Sequence, residues 1–199
     1  MHNNPKNVYF IENGRKEKNT IKELKSLGEK YHIHEIVDLK TSEICVAEWV
    51  RLKCRYGCNK YGTSWCCPPE TPAPEKTRAF LNEYQKALLL YGRVANDSFY
   101  RDNQKKRRIQ MTAWKGTVAL ERHLFLSGYY KAFALVSECC ALCKSCTYPD
   151  ACRFPSEKRP SVESCAIDVF QTLRNIGRDY NLAHNPEEKY NYYSIILLK

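Results

Sequence analysis

No apolar run in this 199-residue chain approaches the roughly 20 residues a helix needs to cross a bilayer, so no membrane-spanning helix is expected. The N-terminus, Met1-His2-Asn3-Asn4-Pro5-Lys6, has no apolar signal region, and a cytoplasmic, reducing location is expected. Internal repeats, low-complexity tracts and clear linkers are absent. The length suits one domain with a proper core, so a single domain over residues 1–199 is expected. With 43% hydrophobic residues the chain is globular rather than disordered. Histidine is scarce: His2, His32, His34, His123 and His184 are scattered, and none lies inside a cysteine group. Zinc sites commonly use two separated C-x2-C knuckles or add histidine.

The net charge of +10 invites a nucleic-acid reading, but no nucleic-acid-binding signature accompanies it. The densest basic run, Arg101 to Arg108, falls in a predicted helix and reads as a solvated face. Its charge suits steering of an acidic redox partner, and no nucleic acid is expected as a partner.

What the chain has in excess is cysteine, eleven in all. In a short secreted protein these would form disulfides. In a longer chain expected in the cytoplasm, clustered cysteines bind metal more often. Cys140, Cys143, Cys146 and Cys152 stand at C-x2-C-x2-C-x5-C spacing, with Pro155 following. A cubane cluster needs several thiolates converging on a small volume. A tight x2-x2 run supplies three from one turn of backbone and the fourth from just beyond, as in the C-x2-C-x2-C-x3-C-P run of bacterial ferredoxins. Four thiolates round each such core carry about −2 overall and three about −1, so two clusters would lower the net charge to roughly +7.

A second group lies upstream: Cys54, Cys58, and the pair Cys66-Cys67 before Pro68-Pro69. Three ligands are read here, Cys54, Cys58 and Cys67. A fourth could be Cys66, Cys45 or Cys165, or be missing. Gly57 and Gly62 suit a loop folding round an inorganic core, and the prolines fix its exit. The C-x3-C-x2-C run of radical S-adenosylmethionine enzymes is not met, because Tyr61 stands at the third position. Cys45, Cys66, Cys139 and Cys165 are spare thiols. A free cysteine is often a small buried hydrophobe, and Cys45 and Cys139 are read that way.

The pattern predicts strands at Asn7–Glu12, His32–Leu39, Lys86–Arg93, Lys131–Ser137 and Lys189–Leu198. Helices are expected over Thr20–Lys30, from Pro74 to about Glu83, over Ser98–Ser127, and from a Ser161 cap onward to Ile176. Val46–Leu52 is ambiguous. Met111, Trp114, Val118 and Phe125 form a core stripe on the long helix, and Gly128 ends it. The fold class expected is α+β: helices packed on a mainly antiparallel sheet, with two cysteine-rich loops at 54–69 and 139–155.

Two phrases then carry a resemblance. The first is Val50-Arg51-Leu52-Lys53-Cys54-Arg55-Tyr56-Gly57-Cys58, with Tyr61-Gly62 and Cys67-Pro68-Pro69. The second is Cys140-x2-Cys143-x2-Cys146, Cys152-Arg153-x-Pro155, Arg159-Pro160-Ser161-x-Glu163 and Ile167-Asp168-Val169. Together they resemble the uncharacterised family of predicted metal-binding proteins, domain of unknown function 2284, over most of the chain. The resemblance implies a cytoplasmic protein of anaerobic metabolism with iron–sulfur clusters, and supplies no established reaction. Where glycine is expected before Ile-Asp-Val, this chain has Ala166.

Around the thiols, Arg153 and Arg159 would stabilise a reduced cluster and raise its potential. Tyr56, Tyr61 and Trp65 would shield the first centre from water. Glu163 and Asp168 are candidate acid–base groups, though Glu163 reads first as a helix N-terminal charge. The expected function is an iron–sulfur protein with one or two 4Fe-4S clusters, acting in electron transfer with a redox partner protein. The alternatives are an enzyme whose first cluster, on three cysteines, leaves one iron open to a small-molecule substrate, and a zinc-stabilised binding module.

Overall fold

A computed structural model describes residues 14–95, 103–179, 184, 185 and 187–198. Its centre is a sheet of four strands: β1 (Ile33–Lys40), β2 (Lys86–Ala95), β3 (Phe133–Leu135) and β4 (Lys189–Leu198). They run in the order β1-β2-β4-β3, and every pairing is antiparallel. The described residues form five α-helices: α1 (Gly14–Glu29), α2 (Glu48–Gly57), α3 (Pro74–Leu81), α4 (Asn103–Leu126) and α5 (Val169–Asn175). The α+β expectation therefore holds. Among the described residues no helix is long and apolar enough to cross a membrane.

Side chains alternate faces along a strand, and the two central strands bury both. On one face Ala87 and Leu89 of β2 and Tyr193, Ile195 and Leu197 of β4 pack with Leu81 of α3, Leu173 of α5, Val162 and Ile167. On the other, Leu88, Leu90, Ile196 and Leu198 pack with Leu24 of α1 and Leu120 and Leu124 of α4. Strands buried on both faces read as the continuous apolar runs seen here. The N-terminal half of α4 leaves the sheet: Trp114, with Met111 and Val118 beside it, packs instead on Val136, Leu142, Cys66 and Cys140.

Several elements differ from expectation, each for a local reason. Val46–Leu52 resolves into α2, so Cys54 stands on a helix rather than a loop. Phe125 is 55% exposed. The buried face of α4 runs through Ala113, Trp114, Thr117, Leu120, Glu121 and Leu124. Met111, Val118 and Phe125 lie along its edge, and the cysteine region covers that edge only at the N-terminal end. The third strand is short because the backbone turns away after Leu135: Val136 N donates to Pro160 O, and Val162 N donates back to Val136 O. The helix expected from Ser161 to Ile176 is broken. A 3-10 turn spans Glu163–Cys165, Ala166 takes φ 60, and α5 restarts with Asp168 accepting from Gln171 N at 2.9 Å. Ala166 thus sits in the left-handed conformation that favours glycine, which is the residue the resemblance led us to expect there. The strand expected at Asn7–Glu12 and the helix start at Ser98 lie outside the described residues.

The two loop glycines also part. Gly62 has φ +66, and its N–H donates to Pro68 O at 2.7 Å, closing the turn that carries Cys66 and Cys67. Gly57 ends α2, and a Cβ there would meet nothing within 4 Å. Urea midpoints should show Gly62→Ala costing about 1 kcal/mol, with Gly57→Ala neutral or slightly stabilising.

Candidate metal centre

The first cysteine run starts on α2 and is anchored by Arg51. That guanidinium donates to Ser164 O at 3.1 Å, Thr71 O at 2.9 Å and Pro72 O at 2.8 Å. The far end of the loop is thereby tied to the 3-10 turn under the sheet. The second run starts where β3 ends and lies over α4, where Arg107 Nη2 donates to Leu142 O at 3.0 Å. Internal bonds close it: Thr147 Oγ1 donates to Ala151 O at 2.8 Å and Arg153 Nη1 to Ser145 O at 3.1 Å. The two loops are pinned to each other. Trp65 Nε1 donates to Asp150 O at 2.8 Å, its ring meets Tyr148 edge-on at 5.1 Å, and Tyr148 OH donates to Glu70 at 3.1 Å.

The thiols fall into two neighbourhoods across this seam. Burial pushes Cys67 up to about 12, and the charges of Cys139, Cys58 and Cys54 push the same way. Cys54 is raised by burial and then by Cys58 and Glu163. Cys139 is raised by burial and Glu138, with Cys58 adding and Lys60 opposing. Cys54, Cys58, Cys67 and Cys139 therefore form one interacting set. In the other neighbourhood Cys66 and Cys140 act on each other, which pushes Cys66 up and draws Cys140 down to about 7, helped by the Leu142 N–H and Lys60. The two neighbourhoods touch, since Cys67 also raises Cys66 and Lys60 acts on both Cys139 and Cys140.

Cys143 and Cys152 are half-buried and Cys146 is exposed. They share the loop with Cys140, but the interacting thiol pair on that side is Cys66 with Cys140. Besides Cys140, two sulfurs accept backbone N–H groups among the described residues, Cys58 from Lys60 at 3.5 Å and Cys152 from Phe154 at 3.4 Å. Among the described residues no group of three or more His, Cys, Asp or Glu side chains stands close enough to share a single metal ion. Cys165 is packed in the sheet core, its thiol pushed up to about 12 by burial, with Ser164, Arg51 and Glu163 acting on it. Cys45 sits by Asp168, and its N–H donates to Thr172 Oγ1 at 3.0 Å. Both stand outside the interacting sets. Cys139, read from the sequence as a small buried hydrophobe, is half-buried and acts on Cys67; the available signal for this was that each run contains an adjacent cysteine pair.

The flanking groups also sort themselves. Arg159 is ion-paired with buried Glu121 at 2.7 Å, so its charge is compensated rather than directed at the thiols. Asp168 caps α5 and accepts from Trp49 Nε1 at 3.2 Å. Tyr56 is 76% exposed, with the Arg55 guanidinium over its ring, whereas Trp65 bridges the loops. A cavity of about 280 Å³ is walled by Cys54 and Cys58 and by Glu138, Glu163 and Trp49. A larger one, about 580 Å³, borders Cys66 beside Trp65, Tyr84 and Lys158.

Within the first cavity, burial and then Glu138 raise Glu163 from 4.5 to about 7. Between those values the folded state holds a proton that the unfolded state has lost. Stability should therefore fall as pH rises from about 4.5 through about 7. Glu163→Gln should flatten that slope, measured as urea midpoints of anaerobic protein at about pH 5 and about pH 8.

The family model described as predicted metal-binding protein, domain of unknown function 2284, matches residues 37–198 and so includes every cysteine of both runs. Neither the comparison with curated proteins nor that with solved structures gives a match.

Proposed function

The chain belongs to this family of predicted metal-binding proteins, and from that premise we propose that it binds two 4Fe-4S clusters and carries electrons to or from a redox partner protein in the reducing cytoplasm. One observation supports this most: Cys54, Cys58 and Cys67 of the first run share a neighbourhood with Cys139 of the second. The donors are all thiols, the soft ligands that suit zinc and iron–sulfur clusters alike. Spacing favours the cluster. The second run's C-x2-C-x2-C spacing resembles the ferredoxin ligand pattern, whereas zinc sites commonly use two separated C-x2-C knuckles or add histidine. A cubane spreads its thiolates over a wider volume.

Cys54, Cys58, Cys67 and Cys139 would hold the first cluster. Cys140, Cys143, Cys146 and Cys152 would hold the second, with Cys66 donating its S–H to the Cys140 sulfur. When bound, each cluster supplies one-electron chemistry. The chain's own residues bring the two close, since Cys139 and Cys140 are adjacent and their Cα atoms are about 3.8 Å apart. Lys60 acts on both of these cysteines and favours added negative charge. With four thiolates on the first centre, no iron is left free for a substrate, which favours electron transfer over open-iron catalysis.

The cavity beside Cys54 and Cys58 favours a second reading, in which a small molecule meets the first centre. Electron resonance of dithionite-reduced protein separates the two. Two interacting signals indifferent to cyanide or small carboxylates fit the electron carrier. A first-centre signal that such ligands reshape fits the open iron.

A further inference from the structure

Arg107 lies in the basic stretch that reads from sequence as a solvated helix face. The structure turns it inward. Arg107 precedes Met111 and Trp114 by one and two turns, on the side of α4 that packs against Cys66, Cys140 and Leu142. Its Nη2 donates to Leu142 O at 3.0 Å, between Cys140 and Cys143 in the chain. Its Nε–H is buried and has no hydrogen-bond partner among the described residues. A buried donor left unpaired costs about 1–3 kcal/mol, and a guanidinium demands satisfaction more than most groups. Glu157 Oε2 is also buried without a partner among the described residues. Among the described residues, however, Arg107 and Glu157 form no ion pair.

We propose that Arg107 is a tuning residue for the second centre, its Nε–H donating to a sulfur of the cluster held by Cys140, Cys143, Cys146 and Cys152. The main-chain oxygen of Leu142 holds the guanidinium against the loop whose thiolates would gather round that cluster, with the Nε–H left to be satisfied there. A charged donor against cluster sulfur stabilises the extra electron more than the oxidised core, so it raises the potential. This inference rests on the iron–sulfur reading.

The test is a redox titration of anaerobically purified protein, followed by electron resonance of both clusters. Arg107→Met should move the reduction equilibrium of the second cluster about tenfold toward the oxidised form, about 59 mV for one electron. The first cluster should stay where it is. Arg107→Lys keeps the charge but not the planar Nε–H donor, and should recover less than half of that shift. Should the Met variant fail to fold, wild type grown on 15N-arginine carries the test. Hyperfine coupling of arginine nitrogen to the reduced second cluster is expected, and its absence overturns the proposal. Equal shifts in both clusters, or none, also overturn it, as does a loss of stability alone, which would mean that Arg107 serves Glu157. Iron in the protein with no Arg107 effect sinks this inference by itself. A protein without iron sinks the iron–sulfur reading and takes this inference with it.

Discussion

Cys139→Ala protein purified without oxygen is expected to hold about four irons per chain where wild type holds about eight. The reasoning is local. Cys67 is buried and lies in the fields of Cys139, Cys58 and Cys54, and on the proposed reading the second run contributes the fourth thiol of the first centre. Removing it leaves three thiols and an iron position that water or buffer must fill. Such a cluster is expected to be lost or to survive only as a three-iron species. Cys67→Ala should behave alike. Cys66→Ala should keep both clusters, because on the proposed reading the Cys66 thiol interacts with Cys140 without ligating iron. Iron and sulfide analysis with electron resonance reads all three. If Cys66→Ala empties a centre and Cys139→Ala does not, the assignment of the two pairs is reversed.

Arg159→Met is expected to destabilise the fold by about 3–5 kcal/mol. Arg159 meets Glu121 through Nε at 3.0 and 2.9 Å and through Nη2 at 2.7 Å. Glu121 is 5% exposed, and its Oε1 also accepts Ala134 N at 2.9 Å at the edge of β3. Removing the arginine leaves a buried carboxylate without its counter-charge, the costly way to break such a pair. Glu121→Leu combined with Arg159→Met should recover much of the loss, since two apolar groups replace both charges. Urea unfolding under anaerobic conditions measures it. A cost below about 1 kcal/mol would mean that the pair behaves like an exposed one.

The sheet was legible in the sequence because its central strands are long apolar runs, and Lys86–Ala95 and Lys189–Leu198 begin at the residues the pattern picks out. The thiol-bearing segments were legible by spacing, but their partnership was not. Which sulfur of Cys66-Cys67 faces which of Cys139-Cys140 depends on how a helix end and a strand end meet, and each run by itself carries no record of the other. The same holds for Arg107 and Arg159. Arg107 lies in a basic run far from any cysteine in the chain and Arg159 flanks the second group, yet the first is turned toward the second loop by α4 and the second is paired with Glu121. The break at Ala166 was hidden because alanine is a good helix former, and only the backbone geometry shows the left-handed turn. The exposed Phe125 follows from where the cysteine region stops along α4, which periodicity does not reveal.

The most direct measurement is the metal and acid-labile sulfide content of the untagged protein purified without oxygen, alongside its absorption before and after dithionite. About eight irons and eight sulfides per chain, with a brown colour that bleaches on reduction, is the predicted result. Stoichiometric zinc in a colourless, fully folded protein, or no metal at all, would contradict it.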